Sequence, residues 1–460
     1  MTIRDVLSDA DERTNVQDAD ASLMRAARLH KKFEPLTIDL VPRPSPRASD
    51  VLVQVKACGI VPNVVNVLNY SLESVVSLPP LPAIFGLDAA GVVAAKGELV
   101  HGVEVGDRVY VNPIRYCGSC RYCRMGQHAG CEYSTLNGYF GMGSKALQMF
   151  QDYPYGGYAE YMTAPQYSLV KLPENVSFET AARWGYLGTA YAALRRASVD
   201  MSSTVLINGV SGTLGVGGVL FALALGVPKI LGVGRDIELL ERVKAIDPHR
   251  IHVHSTNSRI SVAEWVRSHT DGCGADVVLD ALPTGAPAEA FLAALDALGK
   301  CGRHVNCSGV LECVPINVPK YTVSSQTLIG SCWFTTAQGQ EMAELAASGR
   351  VNLDVFENRG YALEDINTAL AEVNERKGGR CSLSASMSCS SASTWRASMR
   401  GCLGSRSSGS VANSEPRLNS SFCARCRMAS MRCLHASGPA SSRLDLRTRP
   451  RTALSSSTLP

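Results

Sequence analysis

Four cysteines stand close together in Cys117-Gly-Ser-Cys120-Arg-Tyr-Cys123, with Cys131 after seven more residues. Four soft thiolates can close a tetrahedral shell, the geometry zinc prefers. A shell filled by protein leaves no open position for substrate, so this spacing predicts a structural zinc that holds a loop. Gly118, Gly126 and Gly130 let the loop curl. An iron–sulfur cluster shares the first spacings, and free core cysteines are the blander reading.

A second chemical signal is Gly209-Val210-Ser211-Gly212-Thr213-Leu214-Gly215. It lies between an apolar strand (202–209) and a helix of small apolar residues (212–226). Gly209 permits the tight turn out of the strand, Gly212 lets the backbone approach a pyrophosphate, and Gly215 lets helix and sheet pack closely. Ser211, Thr213 and Leu214 complete the turn. The phosphates then rest on free N–H groups at a helix N-terminus. The competing reading is a glycine-rich packed turn in an unrelated α/β protein. The next strand ends Gly234-Arg235-Asp236. Gly234 stands where an NAD site carries an acid for the ribose, and Arg235 can hold a 2′-phosphate, which favours NADP over NAD. Alternatively, Arg235 pairs with Glu238 and Asp236 takes the ribose.

These two motifs need different scaffolds. From Met24 to about residue 177 the chain alternates turns with short strands such as VLVQVKACG (51–59). After residue 178 strands alternate with helices: KILGVG (229–234), DIELLERVKAI (236–246), RIHVH, ADVVLDAL, GRHVNCSG and TLIGSCWF. That order predicts an α/β fold with a doubly wound parallel sheet. Residues 1–22 read as a disordered leader. Residues 381–460 hold eleven Arg, no Lys and two acids, Glu415 and Asp445. They show no period and read as a disordered Ser/Arg/Cys-rich tail. A short metal module around Cys423 and Cys426 is the rival reading. Without the tail, the net charge of +4 becomes about −5. No basic stripe calls for nucleic acid and no apolar run is long enough for a membrane span. The acidic N-terminus lacks a secretory pattern, so a cytoplasmic location is expected.

The order of a β-rich half, a four-Cys lobe and a Gly-turn fold resembles the medium-chain dehydrogenase/reductase superfamily, in particular the zinc-containing alcohol dehydrogenases. The resemblance runs from about Met24 to Gly379 through VKACGI (55–60), GLDAAGVV (86–93), VGDRVYVNP (105–113), GGYAEYMTAP (156–165), GTAYAAL (188–194) and the Gly turn. It implies a GroES-like catalytic domain over 23–177 carrying the structural zinc lobe (117–131). It further implies a Rossmann NAD(P)-binding domain over 178–325 and a return segment over 326–380 that completes the catalytic domain. NAD(P), a small-molecule substrate and homo-oligomers (dimers or tetramers) follow from the same resemblance.

The family's catalytic zinc does not carry over. Its first ligand place, after Gly59-Ile60, holds Val61; its second, after Gly86, holds Leu87; its third falls at Gly185. Cys58 stands outside the ligand place and reads as a small buried residue. Without a Lewis acid, hydride transfer needs an activated acceptor such as a quinone or enone, or protein donors for the oxyanion. Tyr186 beside the lost third ligand, Asn63 in the place of a relay hydroxyl, and Asp88 in place of the usual Glu are the candidate catalytic residues. Each has a structural alternative: packed aromatic, turn former and hydrogen-bond acceptor respectively. Tyr-rich 139–141 and 153–158 read as loop packing or as the border of the substrate cleft. The expected activity is hydride transfer between NAD(P) and a small alcohol/carbonyl or activated alkene/quinone. The alternative is a nucleotide-binding pseudoenzyme. The chain after Gly379 lacks the family's usual β-like ending, so the catalytic domain is expected to miss its last strand.

Overall fold

The computed structural model describes residues 23–307, 309–374 and the backbone strand 381–386. The expected leader, and the tail from 387 with Cys423 and Cys426, lie outside the described residues.

The first half is organised around one long strand, Asp50–Ile60. Its β-branched, alternating text suits a pleated surface, and nearly every residue is buried because sheet and helices cover both faces. It pairs antiparallel with Asp88–Lys96, Tyr161–Pro165 and Cys381–Ser386. The sheet runs Leu169–Lys171, Arg108–Val111, Asp88–Lys96, Asp50–Ile60, Cys381–Ser386, Glu357–Tyr361. Register shifts on Asp50–Ile60 fall between Leu52 and Val53 and between Val55 and Ala57. Such bulges bend a strand locally and increase its twist.

The second half is a parallel sheet ordered Ile251–Ser255, Lys229–Gly234, Thr204–Asn208, Ala275–Asp280, Leu298–Asn306, Thr327–Gly330. The direction of travel reverses between Thr204–Asn208 and Ala275–Asp280. That crevice, outside the carboxyl ends of the strands, is where open α/β sheets bind ligands. Helix Trp184–Arg196 lies against helix Thr213–Ala224. Gly217 makes the approach close: a β-carbon there would stand 2.9 Å from Leu187 Cδ2. This contact brings the start of one helix, with Gly185 and Tyr186, beside the start of the other, at the Gly turn.

Two expectations are corrected. The catalytic sheet does have its last strand: Cys381–Ser386 fills the slot between Asp50–Ile60 and Glu357–Tyr361, with Leu383 opposite Ile60 and Ser386 opposite Ala57. It lies inside the stretch read as disordered tail. Ladder bonds come from the backbone, so an alternating C-S-L-S-A-S can occupy a slot whose two walls already exist. The parallel sheet also runs past the boundary expected at 325, because Thr327–Gly330 is its sixth strand.

Candidate functional site

The four cysteine sulfurs all lie within 4.8 Å of one another. Cys120 Sγ is 3.5 Å and Cys117 Sγ is 4.0 Å from Cys123 Sγ. Zinc–sulfur bonds of about 2.3 Å in a tetrahedron put sulfurs roughly 3.8 Å apart, so the donor set fits zinc. Backbone N–H groups of Cys120 and Tyr133 point at Cys117 Sγ and Cys131 Sγ, each at 3.4 Å, which favours thiolate. The lobe is braced by Tyr116, stacked on His128 at 3.8 Å and on Tyr167 at 4.4 Å. Among the described residues this is the one cluster of at least three His, Cys, Asp or Glu placed to hold a metal.

The three expected glycine roles have distinct geometric signatures. Gly209 has φ +78, a region costly for residues with a β-carbon. At Gly215 a β-carbon would stand 2.4 Å from Gly209 O, so helix and turn touch here. At Gly212 the nearest atom to such a carbon is Gly209 O at 3.5 Å, which leaves that side open. Helix Thr213–Ala224 starts immediately after it, with no side-chain cap on its first N–H groups. An open glycine beside uncapped helix donors is a fit for a pyrophosphate. At the next strand end, Gly234 lies near Ser211, and Arg235 and Asp236 are exposed. Asp236 caps helix Ile237–Lys244, Oδ1 accepting from Glu238 N at 2.9 Å and Leu239 N at 3.2 Å.

Between these features a small cleft is lined by Gly59, Ile60, Val61, Pro62, Asp88, Ala182, Arg183, Tyr186 and Thr213. The cleft therefore joins the first lost ligand place to the Gly turn through Tyr186. Val61 and Leu87 are each 4% exposed, and Gly185 has no side chain. These residues do not fit a catalytic zinc. Cys58 is packed away: Asp88 N–H donates to its sulfur, and burial raises its thiol well above the ordinary range. A β-carbon on neighbouring Gly157 would lie 2.6 Å from that sulfur.

Asp88 is fully buried, and desolvation raises its carboxyl to about 7. Two hydrogen bonds oppose that rise, from Tyr110 Oη at 2.7 Å and from Gly185 N–H. Asn63 begins helix Val64–Leu68 without capping it through its side chain. Instead its Oδ1 accepts from Asn66 Nδ2 at 2.7 Å, and it follows Pro62, which lines the cleft. The nucleotide turn, Asp88 and Tyr186 thus meet at one place through Thr213, whereas Asn63 is not among the residues that line the cleft. Tyr110, bonded to Asp88, and Trp333, packed on Gly185, complete the floor and were not singled out by the sequence; Trp333 arrives from a distant segment.

A model described as the alcohol dehydrogenase GroES-like domain matches residues 47–174. One described as zinc-binding dehydrogenase matches residues 213–348. An NAD-dependent alcohol dehydrogenase of Sulfurisphaera tokodaii is 30% identical over 359 residues, covering 77% of this chain and 97% of that protein. An alcohol dehydrogenase of Geobacillus stearothermophilus is 31% identical over 347 residues, 75% of this chain and 94% of its own. The solved thermostable alcohol dehydrogenase from Pyrobaculum aerophilum has a TM-score of 0.64 at 27% identity, covering 78% of this chain and 99% of that one. Nothing among these relatives favours the inactive alternative. A GroES-like sheet, a parallel nucleotide sheet and a four-sulfur lobe in this order, together with those matches, place the chain in the zinc-containing alcohol dehydrogenase family of the medium-chain dehydrogenase/reductase superfamily, as an NAD(P)-dependent oxidoreductase of the alcohol dehydrogenase type.

Proposed function

We propose that the chain reduces a small activated acceptor, an aldehyde, ketone, quinone or enone, with protein donors in place of a catalytic metal. The observation that carries this reading is the cleft in which Val61, Gly59 and Asp88 face Tyr186 and Thr213. It offers a phenol where relatives need a ligand. The nicotinamide supplies the hydride when bound. Gly209, Ser211, Gly212, Thr213, Leu214 and Gly215 hold its pyrophosphate, and Gly234 and Arg235 the adenosine ribose. Tyr186 passes a proton to the developing oxyanion, Asn63 orients the donors, and Asp88 holds the floor. NADP is favoured over NAD, because Asp236 is occupied as a helix cap while Arg235 lies exposed at the strand end. Cys117, Cys120, Cys123 and Cys131 carry the structural zinc.

The wider reading keeps the domain plan of 23–177, 178–325 and 326–380, with the sheet strands noted above crossing the last two boundaries. A dimer or tetramer is supported by Thr327–Gly330, the edge strand of the parallel sheet among the described residues. There Leu328, Val318 and Val323 are 41%, 66% and 83% exposed. No helix among the described residues is long and apolar enough to cross a membrane. Exposed, unpaired Cys273, Cys301 and Cys313 suit the reducing cytoplasm. The test is metal analysis with NADPH oxidation against enones, quinones and aldehydes. About one zinc per chain with turnover supports the proposal; two zincs, or a metal beside the nicotinamide, defeat it.

A further inference from the structure

The backbone at Arg235 is held from a neighbouring strand. Lys229–Gly234 and Ile251–Ser255 run parallel and end side by side, with Gly234 opposite Ser255. Past those ends the two segments stay joined. Thr256 N–H donates to Gly234 O at 2.8 Å, and the Thr256 hydroxyl donates to the same oxygen at 3.3 Å. One residue on, Arg235 O accepts from Ser255 Oγ at 3.2 Å and from Asn257 Nδ2 at 3.3 Å. Ser255 Oγ in turn accepts from Asn257 N–H at 3.3 Å, and Ser258 N–H closes the turn onto Ser255 O at 3.0 Å.

An exposed carbonyl at a strand end can be satisfied by water. Here two side chains of one turn share a single carbonyl instead. On the far side Asp236 is fixed as the cap of helix Ile237–Lys244. The peptide between Arg235 and Asp236 is therefore held from both flanks, which sets the direction in which the Arg235 side chain leaves the chain. Its guanidinium makes no hydrogen bond or ion pair among the described residues, and the alternative pairing with Glu238 is not formed. Ser211 of the glycine turn stands close by: a β-carbon on Gly234 would lie 3.5 Å from Ser211 Oγ. An exposed cation without a protein partner, on a fixed backbone where the adenosine ribose belongs, suits a phosphate on that ribose.

We infer that Asn257, together with Ser255, is a specificity-determining positioning residue: by holding the Arg235 carbonyl it aims the guanidinium at the 2′-phosphate of the adenosine ribose. The inference rests on the proposed preference for NADP. Neither residue touches the phosphate in this scheme. A guanidinium on a loose strand end still attracts phosphate by charge, but it loses the paired N–H bonds that need a fixed direction, and it must be ordered on binding. The effect is confined to the coenzyme that carries the phosphate.

NADPH and NADH differ only in that phosphate, so the ratio of their Kd values, measured by calorimetry without turnover, isolates it. The parent chain is expected to bind NADPH at least about tenfold more tightly than NADH, and Arg235→Ser to remove most of that ratio. The double variant Ser255→Ala/Asn257→Ala is expected to shrink the ratio at least about threefold by weakening NADPH alone. Ser255→Thr keeps the hydroxyl and is expected to keep the ratio. An unchanged ratio in the double variant, or equal weakening of both coenzymes, overturns the inference; if Arg235→Ser still removes the ratio, the NADP reading stands. A parent chain that does not prefer NADPH overturns both. Should the double variant not fold, Asn257→Ala at its exposed position decides: an unchanged ratio there overturns the inference.

Discussion

Gly185 lies flush on the carboxyl of Asp88: a β-carbon on that glycine would stand 2.4 and 2.5 Å from the two carboxylate oxygens. The same carbon would meet Trp333 Cη2 at 2.5 Å. Trp333 itself holds φ 64, a costly conformation for a bulky residue. The third ligand place of the family is thus a packed floor, built from a strand, a helix N-terminus and a distant loop. Gly185→Ala is expected to destabilise the chain by about 1–3 kcal/mol, by overpacking. Thermal unfolding measures it, and an unchanged midpoint would show that the floor yields freely.

Asp88 gives the stability a pH slope. Burial raises its folded-state pKa to about 7, against an ordinary 3.8. Below pH 4 the carboxyl is protonated folded or unfolded, and contributes nothing. As pH rises from 4 toward 7, the unfolded chain loses its proton first, so stability falls, and the deficit persists above 7. Buried Asp280, also raised to about 7, adds to the slope in the same direction. Asp88→Asn is therefore expected to raise the melting temperature at pH 8 relative to the parent, with little effect at pH 4. A parallel pair of curves across that range would refute the assignment.

The nucleotide turn predicts a sharp steric effect. Gly215→Ala drives a methyl into Gly209 O and Val210, whereas Gly212→Ala makes only an ordinary contact with Gly209 O, at 3.5 Å, until a pyrophosphate arrives. The first should lower melting temperature in the absence of nucleotide. The second should leave it nearly unchanged yet weaken NADPH binding at least about tenfold. Calorimetric titration of both variants separates packing from ligand contact.

The proposed preference for NADP assigns a test to Arg235. Arg235→Ser is expected to cut kcat/KM for NADPH by about tenfold or more while leaving NADH within about threefold. Steady-state comparison of the two coenzymes checks this, and a parent chain that strongly prefers NADH would remove the role.

Tyr186→Phe should lower kcat at least about tenfold with little change in the nucleotide KM, since proton transfer by a positioned group contributes about a hundredfold or more. An unaltered kcat takes Tyr186 out of the chemistry.

The cysteine lobe should lose its metal to chelators or acid. Sulfurs spaced for one tetrahedron bind zinc as thiolates, so protons compete with the metal. Zinc release below about pH 5, with a fall in melting temperature but retained NADPH binding, is the expected pattern. Loss of nucleotide affinity alongside the metal would show that the lobe supports more than its own loop.

The sequence by itself determined the four-cysteine lobe, the glycine turn and the alternation of strands and helices. Each is a local pattern: cysteines fifteen residues from first to last, glycines three apart, apolar residues at the period of a strand or helix. The three lost ligand places were also legible, because their neighbours in the chain mark them. Only the tertiary structure decided what replaces them. Asp88, Tyr110, Gly185 and Trp333 come from four separate segments, and no spacing in the chain connects them. The last strand, Cys381–Ser386, was hidden for a related reason. Its composition is that of a tail, and it becomes a strand because Asp50–Ile60 and Glu357–Tyr361 offer backbone partners on both sides. Side-chain identity writes local structure into the sequence, whereas backbone pairing and contacts between distant segments exist only once the chain has closed on itself.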